Sequence, residues 1–89
     1  MRSISDYVAR VEKTCGEEKH FIVILRYDRK NEAIARILKR ASIKKSISRM
    51  IFELAFGAVS FRLYETGKAI FRNIKSKEEL QKVLASLLL

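Results

Sequence analysis

The stretch VSFRLYETGKAIFRNI, residues 59–74, constrains the fold more than any other part of the chain. Two runs of alternating apolar and polar residues flank Glu65-Thr66-Gly67, the pattern of a β-hairpin. The side chains also select the loop length. A three-residue loop, a type I turn closed by Gly67 in the left-handed conformation, pairs Tyr64 with Lys68. In that register Val59, Phe61, Leu63, Ala69 and Phe71 share one face, and Ser60, Arg62, Tyr64, Lys68, Ile70 and Arg72 share the other. A two-residue loop would slip the pairing by one position and bring Arg72 beside Phe61 in the core. The spacing therefore predicts a sheet with one apolar face and one open face, the latter bearing three cations and a tyrosine.

The other elements are read around that hairpin. Ser3 or Ser5 can cap a first helix in which Ile4, Tyr7, Val8, Val11 and Cys15 recur at helical spacing, with Gly16 as its stop. Phe21 to Tyr27, FIVILRY, is β-branched and aromatic and reads as a central strand. Asp28 or Asn31 then caps a second helix that turns Ala33, Ile34, Ile37, Leu38 and Ala41 inward and Arg36, Lys39 and Arg40 outward. Residues 42–56 admit two readings. As a helix, Ile43, Ile47, Met50, Ile51 and Leu54 form a stripe; as a strand from about Arg49 to Phe56, Met50, Phe52, Leu54 and Phe56 point inward. The strand is preferred because the helix leaves Phe52 and Phe56 on the wrong side. Ser76-Lys77-Glu78-Glu79 is a capping box that opens a last helix with Leu80, Val83, Leu84, Leu87 and Leu88 on one stripe. The expected architecture is α+β in the order α-β-α-β-β-β-α, an antiparallel-rich sheet with helices on one face.

Composition bounds what such a domain does. The 89 residues suffice for one domain near the lower size limit of a single core, which favours a homodimer or a protein partner. The apolar tail SLLL is expected either docked on the sheet or buried in such a contact. A lone Cys15 excludes a disulfide framework and suggests a reducing, cytoplasmic setting. No run approaches the roughly 20 apolar residues that span a membrane. The scarcity of Asn and Gln beside abundant Lys, Arg, Glu and Ile suits a heat-adapted, archaeal-type source.

The formal charge of +9 is unevenly placed. Residues 29–49 hold eight basic side chains, Arg29, Lys30, Arg36, Lys39, Arg40, Lys44, Lys45 and Arg49, against the single acid Glu32, a net of +7. Such a concentrated field is the footprint of a polyanion-binding surface. With Arg62, Tyr64, Lys68 and Arg72 on the hairpin's open face, these residues form the candidate nucleic-acid site, cations for phosphate and a ring for stacking. The rival explanation is a solvated helix face whose last-turn cations complement the helix dipole.

Catalysis finds little support. There is one His and one Cys, no local carboxylate pair and no Gly-rich phosphate loop before a helix, and Thr66-Gly67-Lys68 tips a hairpin rather than opening one. Cys15 reads as a small buried hydrophobe, and neither a metal nor another cofactor is expected.

Residues 50–84, MIFELAFGAVSFRLYETGKAIFRNIKSKEELQKVL, resemble the second half of a TATA-binding-protein repeat. That pattern is an apolar strand, a hairpin with an aromatic-x-x-Gly-Lys tip, a strand and a Lys-Ser-x-Glu capped helix, matched at Tyr64, Gly67, Lys68, Lys75 and Ser76. The resemblance implies DNA binding, with Tyr64 where that family has an aromatic wedge. ILKRASIKKSISRMIFEL with the following hairpin also resembles a winged helix-turn-helix, with Lys44, Lys45, Ser46, Ser48 and Arg49 on a recognition helix, if 42–56 is helical. The element order is similar too to the small dimerising subunit of the KEOPS tRNA-modification complex, which implies a scaffold without catalysis. The expected function is thus non-catalytic binding of DNA or RNA, the alternative a scaffold subunit of a protein complex.

Overall fold

Alternating apolar and polar residues give strands over more of this chain than their spacing first suggests. The computed structural model describes residues 3–13 and 20–89. A single 3-10 turn at Ile4–Asp6 leads into strands β1 (Val8–Lys13) and β2 (His20–Leu25), then helix α1 (Lys30–Arg40). Strands β3 (Ser42–Ser48), β4 (Ile51–Phe56), β5 (Val59–Tyr64) and β6 (Lys68–Arg72) follow, and helix α2 (Lys77–Leu88) ends the chain. All adjacent strands are antiparallel, in one sheet of order β1-β2-β6-β5-β4-β3. The α+β class holds; the element order becomes β-β-α-β-β-β-β-α.

One expectation is corrected here, another is completed, and bulged strands explain both. The first helix is a strand over Val8–Lys13, preceded by only the one short turn in which the Ser3 amide donates to Asp6 at 2.8 Å. Its register shifts between Val8 and Arg10, so Val8 pairs with Leu25 and Val11 with Val23. The extra residue of a bulge lets two side chains three positions apart face the same way, which imitates a helical stripe. Cys15 and Gly16 lie outside the described residues. The preferred strand in 42–56 holds at Ile51–Phe56, but Met50, expected inward, is exposed in a two-residue turn with Arg49, and residues 42–48 form a further strand, β3, bulged twice against β4. The winged helix-turn-helix resemblance needed a recognition helix there, and two strands occupy its place.

The β5–β6 hairpin has the register its side chains demand. Tyr64 pairs with Lys68, and Gly67, at φ +99°, supplies the left-handed residue that closes the loop. Phe21, Phe71, Phe61 and Leu54 then line up across four strands on the inner face. The Phe61 and Phe71 rings stack with centroids 4.6 Å apart. Gly57, at φ +60°, opens the two-residue turn between β4 and β5.

Both helices cover this inner face. Ala33 and Ile37 of α1 and Leu80, Val83, Leu84, Leu87 and Leu88 of α2 join the strand residues in one buried cluster. Each leucine fully withdrawn from water contributes roughly 1.5–3 kcal/mol. Of the two expectations for the apolar tail, docking is the one found: Leu87 and Leu88 are buried within the chain, while Leu89 stays exposed. Neither Asp28 nor Asn31 caps α1; its N-cap is Arg29, with no side-chain cap bond. α2 begins with Ser76 Oγ accepting from the Glu79 amide at 3.2 Å, and Glu79 reaches back to the Lys75 amide, also at 3.2 Å.

Candidate nucleic-acid interface

Strand alternation sends every second residue to the face that the helices leave open. One row across it reads Glu12, Ile22, Ile70, Arg62, Glu53 and Lys45, from β1 to β3. A second reads Arg10, Ile24, Lys68, Tyr64, Ile51 and Ser48, and a third His20, Arg72, Ser60, Ala55 and Ser42. Half-buried isoleucines occupy the middle of the sheet and cations stand around them.

Both carboxylates in these rows are already engaged. Glu53 accepts from Arg62 Nη2 at 2.6 Å, side chains 35% and 30% exposed, and Glu12 pairs with Arg10 at 3.0 Å. The Arg62 hydrogen bond holds the Glu53 carboxyl below its ordinary value against a partial desolvation that pushes it up. The positive charges of Arg62, Arg72 and Lys45 lower it further. Arg62 is raised in turn, chiefly by the Glu53 bond and then by the adjacent Tyr64 hydroxyl. Among the described residues Lys44, Lys45, Lys68 and Arg72 have no acidic partner. Lys68 Nζ lies 5.9 Å from the centre of the half-exposed Tyr64 ring, at the outer limit of a cation–π contact.

The basic segment 29–49 does not stay together. Arg29, Lys30, Arg36, Lys39 and Arg40 belong to the helix layer, across the sheet from Lys45, Arg62, Tyr64, Lys68 and Arg72, and Arg49 sits in the β3–β4 turn. Several helix-layer cations have structural partners. Arg36 donates to the Leu88 carbonyl at 3.2 Å, lies 5.5 Å from the Tyr7 ring centre and pairs with Glu32 at 3.5 Å. Arg40 donates to the Ser86 carbonyl at 3.2 Å, and Arg29 pairs with Glu32 at 3.4 Å. Arg36 and Arg40 thus satisfy the last carbonyls of α2, the negative end of its dipole. Lys30 Nζ stands 4.9 Å from the centre of the Tyr27 ring.

Protein-family models, curated proteins and solved structures give no match to this chain. Any functional reading therefore rests on the surface itself. Arg10, Glu12 and Glu53 are parts of that surface that the sequence pattern did not single out. Reading VARVEK as a half-polar edge strand would have placed the first two. Among the described residues no group of His, Cys, Asp and Glu could hold a metal ion, and no helix is long and apolar enough to cross a membrane.

Proposed function

We propose that this chain binds nucleic acid, DNA or RNA, through the open face of its sheet, by phosphate contacts and without catalysis. The observation that carries the proposal is the set Lys44, Lys45, Lys68 and Arg72, cations without acidic partners on a face whose carboxylates are already paired. Cations so placed release counterions when they meet phosphates, which makes affinity fall steeply with salt. Tyr64 and the half-buried Ile22, Ile24 and Ile70 offer flat and apolar area between them for bases or sugars.

Fluorescence anisotropy with labelled single- and double-stranded oligonucleotides at low salt tests this. Binding is expected for many sequences, weakening as salt rises. Replacing Tyr64 by Ala should cost about 1–3 kcal/mol on single strands and less on duplex. Absence of binding at tens of micromolar protein would sink the proposal. A second function, a scaffold subunit or homodimer, draws on Ile43, Ile47 and Met50, which are 55%, 43% and 59% exposed around the β3–β4 hairpin. A contact made there would be nearly indifferent to salt, which separates the two.

A further inference from the structure

The open face is not flat. Ser60 on β5 and Ala55 on β4 are direct cross-strand partners, and both are small. The long side chains around them leave a depression of about 190 Å³ lined by Lys44, Glu53, Ser60, Arg62 and Arg72 over the backbones of Leu54 and Phe61. The extra residue of the first β3 bulge is Lys44, so a lysine joins the rim from the edge strand. Arg72 enters from β6, directly opposite Ser60.

Four strands thus supply three cations and one carboxylate, a net of +2. The Arg62–Glu53 pair at 2.6 Å fixes one wall, while Lys44 and Arg72 have no acidic partner among the described residues. Ser60, an exposed residue of the lining, adds a hydroxyl. Two uncompensated charges with hydroxyl and guanidinium donors suit a dianion better than the single charge of an internal phosphodiester. A phosphate monoester carries about −1.5 to −2 at neutral pH.

We infer that this depression receives a phosphate monoester, the terminal phosphate of a strand lying on the open face. The inference rests on the nucleic-acid proposal above and adds to it a preference for phosphorylated ends. Internal phosphates meet Lys45 and Lys68 along the face, while the end phosphate sits among Lys44, Ser60, Arg62 and Arg72.

Anisotropy with one sequence bearing a 5′-phosphate, a 3′-phosphate or hydroxyl ends tests it, with a mononucleotide as competitor. One phosphorylated form should bind about five- to tenfold tighter than the hydroxyl-ended strand. Ser60→Val, which narrows the depression and removes its hydroxyl without changing charge, should erase that preference and leave the hydroxyl-ended affinity within about twofold. Titration with inorganic phosphate, followed by amide NMR, should move Ser60, Arg62 and Arg72 before other residues. Equal affinity for all three strands would overturn the inference while leaving the broader proposal standing. A preference that survives Ser60→Val would overturn the assigned location. A mononucleotide matching the phosphorylated strand in affinity would overturn the strand-end role. If no oligonucleotide binds, both proposals fall together.

Discussion

The cations of α1 and those of the sheet look alike in the sequence and do different things in the molecule. Arg36 and Arg40 bond to carbonyls near the end of α2, and Arg36 also lies over Tyr7 and beside Glu32. Lys45, Lys68 and Arg72 meet no carboxylate among the described residues and face water across the sheet. A guanidinium that satisfies a helix terminus stabilises the fold and is less available to a ligand. A lysine on an open strand does little for stability and remains available to phosphate. A run of charge along the chain is therefore not a patch in space until the partners of each member are known.

The widest separation between the two groups should appear in stability. Leu88→Ala removes a buried side chain from the tail that Arg36 holds, and about 2–5 kcal/mol should be lost in chemical denaturation. A smaller loss would mean that the tail is not part of the core. Next, Arg36→Ala should lower stability by about 1.5–3 kcal/mol and change oligonucleotide affinity by less than about twofold. If instead it weakened binding tenfold at unchanged stability, the contrast between the layers would collapse. Replacing Lys45, Lys68 and Arg72 together by Gln should do the reverse. Stability should stay within about 0.5 kcal/mol per site while affinity falls about tenfold, or about 1.4 kcal/mol, and the salt dependence flattens.

The smallest effect concerns the ion pair within the sheet face. Glu53 titrates below its ordinary value of 4.5 because Arg62 favours the carboxylate. Its contribution to stability is therefore present above pH 4.5 and fades as pH falls through the lower folded value. Carboxyl NMR should show this depressed titration, and Arg62→Gln should return it upward. A Glu53 that titrates at 4.5 in the unaltered protein would mean that the pair does not form in solution.

The β5–β6 hairpin was legible because nothing interrupts its period of two, and Gly67 fixes where the chain turns. Arg62, Tyr64, Lys68 and Arg72 followed from the same alternation. β1 and β3 were hidden by their bulges. Val8 and Val11 both pair toward the core although they stand three positions apart, a spacing that belongs equally to a helix. In β3 and the turn after it, the stripe of Ile43, Ile47 and Met50 imitates a buried helix face, yet all three are exposed. Arg10 was missed because it lies on the first of these strands. The carbonyl contacts of Arg36 and Arg40 could not be read locally, since they depend on where α2 ends, roughly fifty residues away.

The sheet order also has a consequence during synthesis. β3, β4, β5 and β6 each pair with the strand made just before or after, but β2 must wait for β6, with Phe21 meeting Phe71. A ribosome adding about 5–20 residues per second takes several seconds to cover that interval. Until then β2 has only β1 beside it in the sheet, and Phe21 and Val23 lack their β6 partners Phe71 and Ala69. The growing chain thus passes through a brief stage of exposed apolar surface, which ends only when the last strand and α2 have emerged.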